Sequence, residues 1–176
     1  FMQDHDIDVS QIESIEIQAI PYLEDIYYTP ERWNPQQSRE SADHSIPYCV
    51  AAAAVYGELT TEQFTEKCLR DERVHKIMEK IEVEPVSNKI KQRYEEESSP
   101  LPQPMKITVD GSEYNIKPDS HPGHPANPYS KKEFEEKFKG STGSLLTDEQ
   151  KEEALRCCNR LEELDRIDPV IQSVVV

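Results

Sequence analysis

Between Gln11 and Ile20 the chain alternates. Ile15, Ile17 and Ala19 fall on one side, with Glu16 and Gln18 on the other. A period of two predicts a half-buried strand, which Pro21 stops. Ile81-Glu82-Val83-Glu84-Pro85-Val86 repeats the pattern. Met105–Val109 and Ser112–Lys117 flank Asp110-Gly111, a pair that supplies the two positive φ angles of a type I′ hairpin turn. Elsewhere the apolar positions recur in steps of three and four. Val74, Ile77, Met78 and Ile81 form the buried side of a helix capped by Asp71. Ala154, Leu155, Cys158, Leu161 and Leu164 mark a longer helix, opened by the capping-box pair Thr147 and Gln150 and running through Leu164. Shorter helical stripes are Phe64, Cys68 and Leu69, after Thr60 and Gln63, and Phe134 with Phe138, after Ser130. Three or four antiparallel strands with helices packed on them predict a single α+β domain over residues 1–176.

The stretch from Glu40 to Gly57 stands apart, because it is an Ala-rich, almost wholly apolar helix with reactive side chains at its start. Ser41 or Asp43 can cap it and Gly57 can end it in a left-handed turn. Pro47 is tolerated if it falls in the first turn. A continuous helix would set His44 and Tyr48 one turn apart on one face. Free N–H groups at such a start favour a carboxylate. Tyr48 is then either a core aromatic or a group that meets substrate. His44 and Ser45 are either substrate contacts or the helix start and its cap.

Two stretches lack periodicity. Tyr22 to Gln37 is rich in Tyr and Pro and holds the single tryptophan, Trp33, which fits a covering loop or the edge of a cleft. Ser87 to Pro104 is polar and reads as an exposed excursion. Pro118 to Pro128 carries four prolines with His121 and His124 and must be stiff. A histidine bonded to backbone is the default there, and contact with substrate or a neighbouring domain the alternative. A metal site is disfavoured, since no Glu or Cys falls at matching spacing.

Composition narrows the classes. The 176 residues carry 20 basic and 35 acidic side chains, a formal charge of −15. That balance argues against nucleic acid or an anionic membrane as partner, since both need clustered Lys and Arg. It also suits a polyanionic substrate poorly, unless positive charge is supplied locally. No run of about 18 apolar residues predicts a membrane span. Cys49, Cys68, Cys157 and Cys158 include no CxxC, which favours reduced thiols and an intracellular setting. The chain does not begin with Met, which points to a fragment or a processed chain. Nucleophilic catalysis by Ser45 with His44 fails, because adjacent helical residues diverge by about 100°.

The run SADHSIPYCVAAAAVYGELTTEQF, Ser41 to Phe64, resembles the His-Ser-x-x-Tyr, small-residue helix and Gly-Glu-(Leu/Val)-Thr signature of the MmgE/PrpD family. Gly123-His124-Pro125-Ala126-Asn127-Pro128-Tyr129-Ser130, before a helix, is similar to the family's GHPxNPxS block. The resemblance covers nearly the whole chain. It implies the family's smaller C-terminal α+β lid, with a larger N-terminal helical domain absent from this chain, and a homodimer in the intact enzyme. The implied chemistry is a cofactor-free hydro-lyase of the 2-methylcitrate dehydratase type, acting on a 2-hydroxy tricarboxylate. Decarboxylase or epimerase chemistry on the same scaffold is the alternative within the family. The same resemblance implies that Tyr48 faces the active site and that no metal is used; with it, His44 is the second catalytic candidate, and Ser45 and His124 are the substrate-binding ones. The implied setting is cytoplasmic, or the mitochondrial matrix in a eukaryote, and the 176 residues alone are expected to be inactive. A non-catalytic acidic interaction module, using the Trp33 loop and the Val170–Val176 tail, is the reading from a different class.

Overall fold

The computed structural model describes residues 1–19, 38–85, 104–117, 122–143 and 145–176. The Trp33 loop, the polar stretch 87–103 and His121 lie outside the described residues. The chain divides into two compact units, Phe1–His121 and Pro122–Val176.

In the first unit, β1 (Ile12–Ala19), β2 (Ile81–Pro85), β3 (Met105–Val109) and β4 (Ser112–Ile116) form one sheet in the order β2-β1-β3-β4. The α+β expectation holds, and the sheet is mostly antiparallel. One pair departs from the wholly antiparallel reading: β1 and β2 run parallel, with Ile15 opposite Ile81 and Ile17 opposite Val83. The reason is the connection. Parallel neighbours need a crossover of a dozen or more residues, and the helices between β1 and β2 provide it. These are α1 (Arg39–Asp43), α2 (Ile46–Tyr56), α3 (Glu66–Leu69) and α4 (Glu72–Met78). The β3–β4 hairpin turns at Asp110 and Gly111, both at positive φ (47° and 73°), as the sequence requires.

Ile15 and Ile17 are buried as the alternation predicts. Ile12 is buried too, although strict alternation would turn it to the opposite face. A register shift between Ile12 and Ser14 resets the phase and brings all three into the core. Against this face pack Tyr48, Ala51 and Ala52 of α2 and Val74, Ile77 and Met78 of α4. Two small alanines on α2 allow close approach, and α4 is its main helical neighbour. His75 is half-buried, with Nε2 2.9 Å from the Leu69 carbonyl.

The second unit holds α5 (Lys131–Thr142), α6 (Asp148–Cys158) and α7 (Asp168–Ser173). Ser130 with Glu133 and Thr147 with Gln150 both form complete capping boxes. The longest predicted helix stops early. It ends at Cys158 rather than Leu164, and a 3-10 turn covers Leu161–Glu163. Its buried line is Ala154 and Cys157, while Cys158 is exposed. Asp168 and Pro169 open α7, because proline fits a first helical turn. Phe134, Ile167, Ile171 and Val175 are exposed within this unit. No described helix is long and apolar enough to cross a membrane.

Candidate functional site

The reactive stretch is not one helix. Ser38 caps α1 by accepting the Ser41 N–H at 3.0 Å, and α1 ends at His44, whose backbone (φ −103°, ψ 5°) is not helical. A second helix starts at once. Ser45 is the N-cap of α2, its Oγ accepting the Tyr48 N–H at 3.3 Å, and Pro47 falls in the first turn. The caps are thus Ser38 and Ser45, not Ser41 or Asp43. Three oxygen-bearing candidates lie between Ser41 and Ser45, and the one that wins precedes the uninterrupted apolar run. At the far end Gly57 sits at φ +78° and its N–H bonds the Ala53 carbonyl, as expected of a left-handed stop.

The break separates the two residues that a single helix would have aligned. His44 is exposed, with 58 % of its side chain accessible. Its Nδ1 lies within hydrogen-bonding distance of the Asp43 carboxylate and 3.0 Å from the Glu40 carbonyl. Both neighbours only accept, a geometry that calls for a proton on Nδ1. Tyr48 points the other way. It is fully buried, packs on Phe64 with ring centroids 5.7 Å apart, and donates its hydroxyl to the Gln63 carbonyl at 2.5 Å. Burial pushes its phenol up to about 12, so it stays protonated across the physiological range. Tyr48 and His44 do not share a face. The structure gives Tyr48 to the core and Ser45, also fully buried, to the helix cap. Neither side chain is open to solvent in this unit, and the cause is the same: the chain turns at His44.

His124, the remaining candidate, belongs to the second unit. It is half-buried in a tight turn where Gly123 donates to the Asn127 carbonyl at 2.9 Å and Asn127 returns a bond to the His124 carbonyl at 2.8 Å. Its Nδ1 accepts the Ala126 N–H at 3.1 Å. Gly123, at φ +89°, lies against the Tyr129 ring, where any Cβ would come within 2.8 Å of a ring carbon. A backbone-bonded histidine is what the proline-rich spacing predicts by default.

A network that sequence reasoning missed joins the end of α2 to the start of α4. Tyr56 donates to Asp71 at 2.7 Å, and the Arg73 guanidinium grips the same carboxylate while lying 5.5 Å from the centre of the Tyr56 ring. Arg73 holds the Asp71 carboxyl well below the usual carboxylate range. Sequence gave the cap at Asp71 but no sign that Tyr56 would reach it. Cys49, on α2, approaches the Ala42 carbonyl, and burial, with the Asp43 charge adding to it, pushes its thiol up to about 11.

Two cavities formed by the described residues of the first unit are notable, and neither is lined by His44, Ser45 or Tyr48. A groove of about 720 Å³ runs between the N-terminal segment, α2 and the sheet, lined mostly by apolar side chains, with Gln3, Asp6 and Asp8 also in its wall. It offers no Lys or Arg. A smaller one, about 250 Å³, has Lys106 and Lys117 in its wall, but Lys106 is paired with Glu16 at 2.7 Å and Glu113 at 3.2 Å. Neither suits a tricarboxylate. Among the described residues no three His, Cys, Asp or Glu side chains gather as metal ligands.

The family model for the MmgE/PrpD C-terminal domain matches residues 1–163. The chain belongs to the MmgE/PrpD family. Human cis-aconitate decarboxylase is 26 % identical to it over 133 residues, 73 % of this chain and 26 % of that protein. The chain therefore spans about a quarter of the length of that curated relative. The MmgE/PrpD match runs through both compact units, from the sheet to the end of the 3-10 turn after α6.

Proposed function

We propose that this chain is the lid part of an MmgE/PrpD lyase that removes water from a 2-hydroxy tricarboxylate, in the manner of 2-methylcitrate dehydratase. In that reaction a base takes the proton from a carbon next to a carboxylate. The C–H electron pair becomes the new C=C bond as the C–O bond breaks, and the departing hydroxide gains a proton and leaves as water. A general base contributes most when its own pKa lies near the working pH, which is where histidine falls.

The observation that carries this reading is the exposed His44, held by its Nδ1 at the break between α1 and α2. With Nδ1 protonated, its neutral form takes the substrate proton at Nε2. Tyr48 supports α2 from within, and Ser45 starts it. The substrate's negative charge must be met by cations beyond this chain, since the described cavities offer only a paired lysine and one other. The 176 residues alone are then without turnover, and a homodimer of the whole enzyme supplies the rest.

The match to cis-aconitate decarboxylase favours a second reading, loss of CO2 on the same scaffold. The two separate by product. The whole enzyme, given 2-methylcitrate and cis-aconitate in turn, is expected to form an unsaturated tricarboxylate from the first and to release no CO2 from the second. CO2 release from cis-aconitate, with 2-methylcitrate untouched, would replace the dehydratase by the decarboxylase.

A further inference from the structure

His44 is not positioned by its own backbone alone. It follows the last residue of α1, and two acceptors converge on its Nδ1: the Asp43 carboxylate and the carbonyl of Glu40. A carbonyl at that place fixes only a direction. A carboxylate adds charge, which favours the imidazolium and so sets how readily the ring gains and gives up a proton. Asp43 is itself 42 % exposed and closes α1, whose start is fixed by Ser38, so the pair sits on a capped turn at the surface of the first unit.

We propose that Asp43 is the positioning residue for His44: with the Glu40 carbonyl it keeps the imidazole proton on Nδ1 and assigns proton exchange with substrate to Nε2. This rests on the reading of His44 as the proton-transfer group of the lyase. Asp43 touches no substrate and acts only through the ring. Among the described residues, the other charged and titratable groups of α1 and of the elements packed against it are Arg39 and Glu40 on α1, Tyr48, Cys49 and Tyr56 on α2, Glu62 on the Thr61–Phe64 turn, and Glu66, Lys67 and Cys68 on α3. An Asp43→Asn substitution leaves all of these side chains in place; of them the Cys49 thiol also loses the Asp43 charge that raises it, so the effect on His44 is read from its own ring nitrogens.

The test has two arms. In the 15N-labelled chain, the ring nitrogen shifts of His44 above its titration are expected to show Nδ1–H. Its midpoint should fall by about 0.5–1 pH unit in Asp43→Asn, the range for an exposed opposite charge in contact. In the whole enzyme the same variant is expected to move the ascending limb of the kcat/KM pH profile to lower pH by the same amount. An Nε2–H tautomer in the unmodified chain, or an unchanged His44 midpoint in the variant, overturns the role of Asp43. The reading beneath it fails differently, by a His44→Gln enzyme that keeps its kcat while the nitrogen shifts still report the Asp43 contact.

Discussion

Tyr48 and Tyr56 lie on the same helix, and each phenol proton has a defined acceptor: the Gln63 carbonyl for one, the Asp71 carboxylate for the other. Tyr48 has no exposure, so removing its hydroxyl strands a buried carbonyl. Tyr48→Phe should therefore cost about 1–3 kcal/mol of stability in denaturant titration, while kcat of the whole enzyme stays within a few-fold. The same bond predicts an alkaline effect. The folded-state phenol titrates above its ordinary value of 10.0, at about 12, so its contribution is whole below pH 10 and fades as pH rises toward 12. Tyr48→Phe should flatten that part of the stability–pH curve. Cys49 titrates in an overlapping range but is common to both proteins, so the difference curve isolates the phenol. An unaltered curve would mean that the hydroxyl is not sealed.

At the scale of elements, the Asp71 carboxylate holds α2 to α4, since it caps α4 while accepting from Tyr56 and Arg73. Asp71→Asn keeps a capping oxygen and loses the charge. A loss of about 1–2 kcal/mol at pH 7 is expected. Arg73 and Tyr56 hold the folded-state carboxyl below its ordinary range, so this stability is present above pH ~4 and is lost as pH falls further. The gap between variant and parent should close on acidification. A constant gap would assign the effect to packing.

The same scale separates what the sequence could reveal from what it could not. Alternation found β1, β2 and the hairpin, because one face of each strand meets the core and the other does not. The α+β class followed. The orientation of α2 did not, since Ile46–Tyr56 is apolar or small around nearly its whole circumference and its periodicity selects no face. Tyr48 looked available for that reason. The break at His44 was hidden by neighbouring oxygen-bearing side chains that can all cap a helix, and the β1 irregularity at Ile12 by a pattern that still looked regular downstream. Parallel pairing of β1 with β2 depends on the path of the crossover, which local pattern does not encode.

For the whole molecule, the weight of charge is decisive. With a net charge of −15 and, in the cavities of the described residues, only Lys106, already paired, and Lys117, the described part does not by itself collect a trianion. The chain spans about a quarter of the curated relative it matches, and the proposed reading takes those cations from beyond this chain. On the proposed reading this part contributes a lid whose exposed imidazole is aligned by Asp43 and whose helix is anchored by Tyr48. The most direct measurement is steady-state kinetics of His44→Gln in the whole enzyme with 2-methylcitrate, beside its melting temperature. The expected result is a fall in kcat of about 10²–10⁴, the usual contribution of a general base, with the melting temperature unchanged. A kcat equal to that of the parent enzyme would contradict the account.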